Sequence, residues 1–160
     1  MTATTLHEDP TLGHPFPQLR RTSWLSLNGP WGFAYDDART GVRQGFPATG
    51  VTDRTITVPF PPESALSGIG DTSYHPVVWY SRTLGAHELA GLREQAGEAG
   101  RVLLHFGAVD YRASVWVQGQ HVGDHEGGHV PFTLDVTHAL PAQGEALVVV
   151  RAEDEPLDVG

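Results

Sequence analysis

The stretch from Arg101 to Asp135 constrains the fold more than any other segment of this 160-residue chain. It reads RVLLHFGAVDYRASVWVQGQHVGDHEGGHVPFTLD, and in its middle a set of side chains alternates with the rest: Tyr111, Ala113, Val115 and Val117. Alternation with β-branched and aromatic residues is typical of strands whose two faces lie in different surroundings. Gly119, between two glutamines, supplies the positive φ of a tight hairpin. The stretch therefore predicts four strands joined by a corner, a two-residue turn and a glycine loop.

The rest of the chain also favours strands. Nineteen glycines and twelve prolines suit short strands joined by turns better than long helices. Further strands are predicted at Trp24–Leu27, Trp31–Tyr35, Arg54–Val58, Val77–Leu84 and Ala146–Ala152. Residues 38–53 and 67–76 are interpreted as loops, and 86–100 as a short helix or excursion. The alternation predicts one shared core: Leu104, Phe106, Val115, Val117, Val148 and Val150.

Four segments in one order resemble a known family. They are Leu27–Phe33 (LNGPWGF), Val58–Ser64 (VPFPPES), Trp79–Arg82 (WYSR) and the 101–135 stretch. Together they resemble the N-terminal jelly-roll domain of glycoside hydrolase family 2, which holds β-galactosidases, β-glucuronidases and β-mannosidases. The resemblance covers the chain from about residue 25 onward. It implies an all-β, galactose-binding-domain-like jelly-roll β-sandwich of about eight strands with one short helical excursion.

Composition excludes several kinds of function. The formal charge of −9 argues against nucleic-acid binding, which needs clustered lysine and arginine. The absence of cysteine excludes disulfides and thiolate sites. Residues 1–18 lack the features of a signal peptide, and no stretch has the roughly 20 apolar residues that span a bilayer. We expect a cytoplasmic protein that needs no cofactor.

The domain organisation is predicted as an arm followed by a single domain. Residues 1–21, rich in Pro, Thr and His, form a flexible arm, and residues 22–160 form one jelly-roll domain. In the resembling family an immunoglobulin-like domain and a catalytic barrel follow this domain. Neither follows here, so we expect a fragment that is inactive alone, because the family's two catalytic glutamates lie in the barrel.

Asp154 is the candidate carbohydrate-binding residue. Arg151–Asp154 matches an R-x-x-D that closes the last strand in β-galactosidase-like members, and the resemblance implies that this aspartate contacts sugar hydroxyls. A carboxylate suits that role because it accepts two charge-assisted hydrogen bonds. The alternative is that residues 153–155 form a solvated acidic turn. The same resemblance places the loop 68–76 near the mouth of the active site, without a match residue by residue.

Three other groups are weaker candidates. Glu153 and Glu155 would lie roughly 6.5–7 Å apart on an extended segment, but nothing separates an acid from a base, so we predict no catalytic residue in this chain. The histidines at 121, 125 and 129 lie in what reads as a loop and are more consistent with exposed polar residues than with a metal site. Trp116 is a possible platform for a sugar ring, whereas Trp31 and Trp79 are expected in the core.

These observations favour the carbohydrate-binding domain of a family 2 enzyme, with a β-glycoside and the downstream domains as partners. One alternative is a free-standing carbohydrate-binding module on the same scaffold. Another is an interaction domain without a ligand. Fold alone does not choose among them, because function depends on the site.

Overall fold

The structure is a computed structural model, and it describes residues 24–98 and 100–155. The predicted arm, residues 1–21, lies outside the described residues. The strands are β1 (Gly29–Tyr35), β2 (Arg54–Val58), β3 (Val77–Leu84), β4 (Leu103–Phe106), β5 (Arg112–Val117), β6 (Gln120–Glu126), β7 (Phe132–Asp135) and β8 (Ala146–Glu153). The helices are α1 (Phe46–Thr49) and α2 (Ala86–Ala96), with a 3₁₀ turn at Ala65–Ser67.

The strands form two antiparallel sheets. The larger has six strands in the order β2-β1-β3-β8-β5-β6, and the smaller pairs β4 with β7. The prediction of an all-β jelly-roll sandwich of about eight strands is confirmed. The helical excursion is α2. Among the described residues no helix is long and apolar enough to cross a bilayer.

The inner face of the six-stranded sheet packs on the small sheet. Five of the six residues predicted to share a core are buried there, and Phe106 packs against them half-buried. They come from β4, β5 and β8, whose period of two turns one set of side chains inward. The core prediction is therefore confirmed.

The opposite, outer face of the six-stranded sheet is covered by the segment 38–51, which was predicted to be a plain loop. The segment contains α1, and Val51 in it is buried against Trp79 and Val149. Two close approaches fix it: a Cβ on Gly32 would lie 2.0 Å from the Val51 carbonyl oxygen, and Ser81 Oγ donates to that oxygen over 2.9 Å. The central strands β3 and β8 are therefore buried on both faces.

The predicted strand at Trp24–Leu27 is wrong, because β1 begins only at Gly29. The Leu27 carbonyl accepts its hydrogen bonds from side chains and not from the backbone of a neighbouring strand. Trp31 Nε1 donates to it over 2.7 Å and Arg82 Nη1 over 2.8 Å.

The hairpin between β5 and β6 turns as predicted at Gln118–Gly119, where both residues have positive φ (53° and 76°). Gln118 stands where the resembling family has asparagine. Its longer side chain accepts a hydrogen bond from Leu147 N over 2.7 Å, and its own N–H donates to Leu147 O over 2.9 Å. The turn is thus tied to the start of β8.

Candidate functional site

One end of the six-stranded sheet brings together segments that are far apart in sequence. Because β8 runs antiparallel to both β3 and β5, its last residue, Glu153, pairs with Val77 on one side and with Arg112 on the other. The segments that lead into β3 and β5 therefore lie beside the end of β8. We call this end the β8 rim and define it as residues 36–39, 71–76, 110–112 and 153–155.

Asp154 lies in the middle of the β8 rim with its main chain fixed. Its N–H donates to Pro76 O over 3.0 Å, and its carbonyl accepts from the Tyr74 hydroxyl over 3.0 Å. The side chain is exposed, and no hydrogen bond or ion pair from the described residues engages its carboxylate. Asp154 therefore has a solvent-exposed carboxylate on a main chain that is fixed by two hydrogen bonds. Arg151 of the R-x-x-D motif pairs with Glu153, over 2.7 Å, and not with Asp154.

Of the acidic residues that neighbour Asp154, Glu153 is ion-paired and mostly buried. The guanidinium of Arg39 contacts Glu153 Oε1 over 2.6 Å and also Glu155 Oε1. Glu153 is paired to Arg151 as well, and its side chain is only 11% exposed. The alternative interpretation therefore fails for Glu153. The two glutamates are ion-pair partners of one arginine. Nothing in this arrangement makes one of them a general acid and the other a nucleophile or base.

The segment 71–76 of the rim is held by a second polar network. Asp71 Oδ1 accepts from Ser73 N over 2.9 Å, and Tyr35 donates its hydroxyl to Asp71 Oδ2 over 3.2 Å. The Ser73 hydroxyl and N–H lower the pKa of Asp71 to about 2. His75 stacks on Tyr35 with ring centroids 3.6 Å apart, and its Nδ1 lies 2.9 Å from Asp37 Oδ1.

Burial and the neighbouring Asp71 carboxylate raise the pKa of Tyr35. The Tyr35 hydroxyl thus joins the end of β1 to the 71–76 segment. A loop that reads from sequence only as polar is thus held in one conformation next to Asp154.

Two large aromatic side chains are exposed at the rim. Tyr74 is 58% and Tyr111 52% exposed. The alternation in the sequence placed Tyr111 on the apolar face with Val115, and this is wrong, because β5 begins one residue later. Tyr111 instead donates its N–H to Glu153 O over 3.1 Å.

Trp116, the platform considered from the sequence, contributes to the outer-face packing. Its ring stacks on buried Trp79 with centroids 5.4 Å apart. Trp31 and Trp79 are both buried, as predicted.

The histidines of the 121–129 stretch are separated by a β-bulge. His121 and His125 lie in β6, not in a loop, and the register shifts opposite Val115 and Trp116. His121 therefore packs against Trp116 on the outer face, whereas His125 stacks on Phe132 of β7 with centroids 4.2 Å apart. Within the residues that the structure describes, no three His, Cys, Asp or Glu side chains are grouped to hold a metal ion.

Comparison with known proteins identifies the family. Residues 69–154 match the model of the glycosyl hydrolases family 2 sugar binding domain, which is more than half of the chain. The chain belongs to this family. The matched range includes most of the β8 rim and extends to Asp154.

Among the family 2 relatives that the chain resembles are several β-glucuronidases. It is 34% identical over 118 residues to that of Felis catus and 35% identical over 120 residues to that of Canis lupus familiaris. Each alignment covers 69% of this chain and 18% of the relative. The Lactobacillus rhamnosus β-glucuronidase structure superposes with a TM-score of 0.68 at 30% identity, over 82% of this chain and 21% of that one. The chain thus spans about a fifth of the length of these family 2 relatives.

Proposed function

We propose that this sugar-binding domain acts within a family 2 β-glucuronidase, and that Asp154 accepts hydrogen bonds from hydroxyls of the sugar at the cleaved bond. The observation that carries the proposal is the open Asp154 carboxylate on a backbone held by Pro76 and Tyr74. The β-glucuronidase relatives support the substrate class.

The physical case for Asp154 is one of preorganisation. A charge-assisted hydrogen bond contributes about 1.5–3 kcal/mol. Its full value is realised only where the acceptor does not have to be ordered on binding. Because the main chain of Asp154 is bonded on both sides, only its side-chain torsions remain to be fixed.

The relatives are about five times as long as this chain, which supports separate roles for this domain and for the rest of the enzyme. The sugar-binding domain supplies one wall of the pocket through the β8 rim, and a catalytic barrel supplies the two carboxylates of a retaining hydrolysis. The immunoglobulin-like and barrel domains are thus its partners. Residues 22–160 form this domain, and the enzyme is cytoplasmic.

A domain exchange tests this proposal. The corresponding domain of the Lactobacillus rhamnosus β-glucuronidase is replaced by this chain, and hydrolysis of p-nitrophenyl β-D-glucuronide is measured. Asp154→Asn should lower kcat/KM about 10- to 150-fold. Glu145→Gln is the matched control, because Glu145 is an exposed carboxylate at the other end of β8. Equal kcat/KM for the parent chimera and the Asp154 variant would refute the role of Asp154.

A second observation separates a domain of a larger enzyme from a free-standing module. The DNA that follows codon 160 either continues in frame into a barrel or does not. An in-frame barrel is expected, and an independent chain that ends there would favour the module.

A further inference from the structure

Two exposed tyrosines stand on opposite sides of Asp154. Strand β8 lies between β3 and β5 in the sheet. Tyr74 belongs to the segment that leads into β3, and its hydroxyl bonds the Asp154 carbonyl. Tyr111 directly precedes β5, and its N–H bonds Glu153 O. The open carboxylate is therefore flanked by one aromatic residue from each neighbouring strand.

The exposure of these rings contrasts with the other aromatic residues of the sheet. Trp31, Phe33 and Trp79 are buried, whereas more than half of the Tyr74 and Tyr111 surfaces is open to solvent. Large aromatic side chains normally gain from burial, so two that remain exposed beside one carboxylate indicate a surface that takes a ligand.

The chemistry of this group fits a pyranose. A sugar ring has faces of C–H groups and an edge of hydroxyls. The C–H groups carry a slight positive charge, which the negative face of an aromatic ring attracts, and the hydroxyls donate to a carboxylate. We propose that Tyr74 and Tyr111 form the walls of a sugar subsite in which Asp154 accepts the hydroxyls. This subsite rests on the proposed function for its ligand class and adds two residues to it.

Both tyrosines are positioned before any ligand binds. The Tyr74 hydroxyl donates to Asp154 O, and this bond holds the tyrosine beside Asp154. The next residue, His75, is held between Asp37 and the Tyr35 ring. Tyr111 is bonded through its N–H to Glu153 and through its carbonyl to Gly127 N, over 2.8 Å. Such rigid aromatic anchors contribute contact area at a low cost in entropy.

The glutamates around the subsite are ion-paired. Arg39 pairs with Glu153 and Glu155, and Arg151 also pairs with Glu153. Arg112 pairs with Glu126 over 2.6 Å. Asp154, which lies between the segments that carry the two tyrosines, has no ion-pair partner among the described residues.

The test uses the 160-residue chain with ¹³C-labelled tyrosine rings and ¹⁵N-labelled backbone, titrated with methyl β-D-glucuronide. The chain has only four tyrosines, so Tyr→Phe variants assign every ring signal. We expect the Tyr74 and Tyr111 ring signals to shift with the same saturation curve as the Asp154 amide. The Tyr35 and Tyr80 signals, from residues that pack against the core, should remain in place.

Variants give a second reading. Tyr74→Leu and Tyr111→Leu should each weaken binding about 2- to 13-fold. Tyr111→Phe, which keeps the ring and leaves the backbone bonds of residue 111 intact, should bind within about 2-fold of the parent. Phe60→Leu is the matched control. Phe60 is a half-exposed ring that follows β2, with β1 and β3 between it and β8.

The outcomes separate this inference from the proposed function. If the Asp154 amide shifts and Asp154→Asn weakens binding while the two ring signals stay in place, the tyrosine walls are refuted and the role of Asp154 stands. If nothing responds to the sugar, the subsite is refuted, and the domain exchange then decides the proposed function. Should a leucine variant fold poorly, the ring signals of the parent chain still decide.

Discussion

The indole Nε1 of Trp79 donates a hydrogen bond to Asp36 Oδ2 over 2.8 Å, and both side chains are buried. The same carboxylate accepts from Thr40 N over 2.7 Å and from Gly41 N over 2.9 Å. These hydrogen bonds to Asp36 turn the chain after β1 and place Arg39 at the β8 rim. The segment that covers the outer face begins at this turn. Burial by itself raises the pKa of Asp36, but the hydrogen bonds outweigh it and the pKa lies below its usual value.

Asp36→Asn should destabilise the fold by about 1.5–3 kcal/mol, because an amide presents donors to the N–H groups that the carboxylate satisfies. Because the pKa of Asp36 is lower in the folded state, its ionised carboxylate stabilises the fold at pH values above the unfolded pKa of about 3.9. This stabilisation is lost as the pH falls through the folded pKa. The difference in unfolding free energy should therefore persist from pH 7 to about 4 and shrink below it. Urea unfolding followed by tryptophan fluorescence measures it. Exposed Asp53→Asn is the control, and a difference independent of pH would contradict this account.

Gly32→Ala and Gly91→Ala should change stability in opposite directions. A Cβ on Gly32 meets the Val51 carbonyl oxygen at 2.0 Å, so the outer segment has to move, at a cost of about 1–3 kcal/mol or more. Gly91 lies inside α2 with no atom within 4 Å of a new Cβ. There alanine should stabilise by about 0.5–1 kcal/mol. Thermal unfolding followed by circular dichroism compares them, and equal melting temperatures would show that the outer segment packs differently.

Val115→Asp should lower the unfolding free energy by more than about 4 kcal/mol, because Val115 is fully buried and an unpaired carboxylate there loses its hydration. Val42→Asp is the control at a 59% exposed position, and its effect should stay within about 0.5 kcal/mol. Chemical denaturation of both variants measures these values. A Val115→Asp protein as stable as the parent would mean that the inner face is wrongly assigned.

Ser73→Ala should raise the pKa of Asp71 from about 2 toward the usual value of about 3.9, because the Ser73 hydroxyl contributes most to lowering it. The carboxyl ¹³C shift of Asp71, followed against pH, reports the change. Asp135 is an internal control, since the Thr137 hydroxyl lowers the pKa of that carboxyl independently. An unchanged Asp71 titration would place the cause elsewhere in the 71–76 loop.

The isolated chain should hydrolyse no aryl glycoside. Retaining hydrolysis uses two carboxylates about 5–5.5 Å apart, one of them an acid and the other a nucleophile, and here Glu153 and Glu155 share Arg39. The assay is release of p-nitrophenol from its β-D-glucuronide by pure protein. Turnover above background that Glu153→Gln or Glu155→Gln abolishes would contradict this prediction.

The buried face of β5 could be predicted because its sequence has a period of two. The alternation identifies its buried residues without any knowledge of the neighbouring strands. The 38–51 segment has no such period. Its burial depends on Asp36 meeting Trp79, 43 residues later in the chain, and a contact at that separation leaves no local pattern.

Single parts of the candidate site could be predicted from the sequence, but their arrangement in space could not. Asp154 and the 71–76 loop were each recognisable from the sequence, but their contact depends on the register that pairs Val77 with Glu153. Tyr111 was missed because its spacing from Val115 matches a core position, and only the start of β5 at Arg112 reveals that it lies outside the strand. His121 and His125, which read as loop residues, lie in β6, and the bulge that turns them to opposite faces leaves no signal in a count of residues. Glu153, which the sequence offers only as part of an acidic turn, is a double ion-pair partner.

The position of β8 also determines the order in which the domain can be completed during synthesis. This strand lies between β3 and β5, so before it emerges from the ribosome the large sheet exists at most as two halves, β2-β1-β3 and β5-β6. The strand that joins them pairs residue 77 with residue 153, and contacts at such separation form late and slowly. A nascent chain that stalls before Ala146 therefore exposes the inner edges of both halves, and the step that ends this exposure is also the one that delivers Asp154 to the rim.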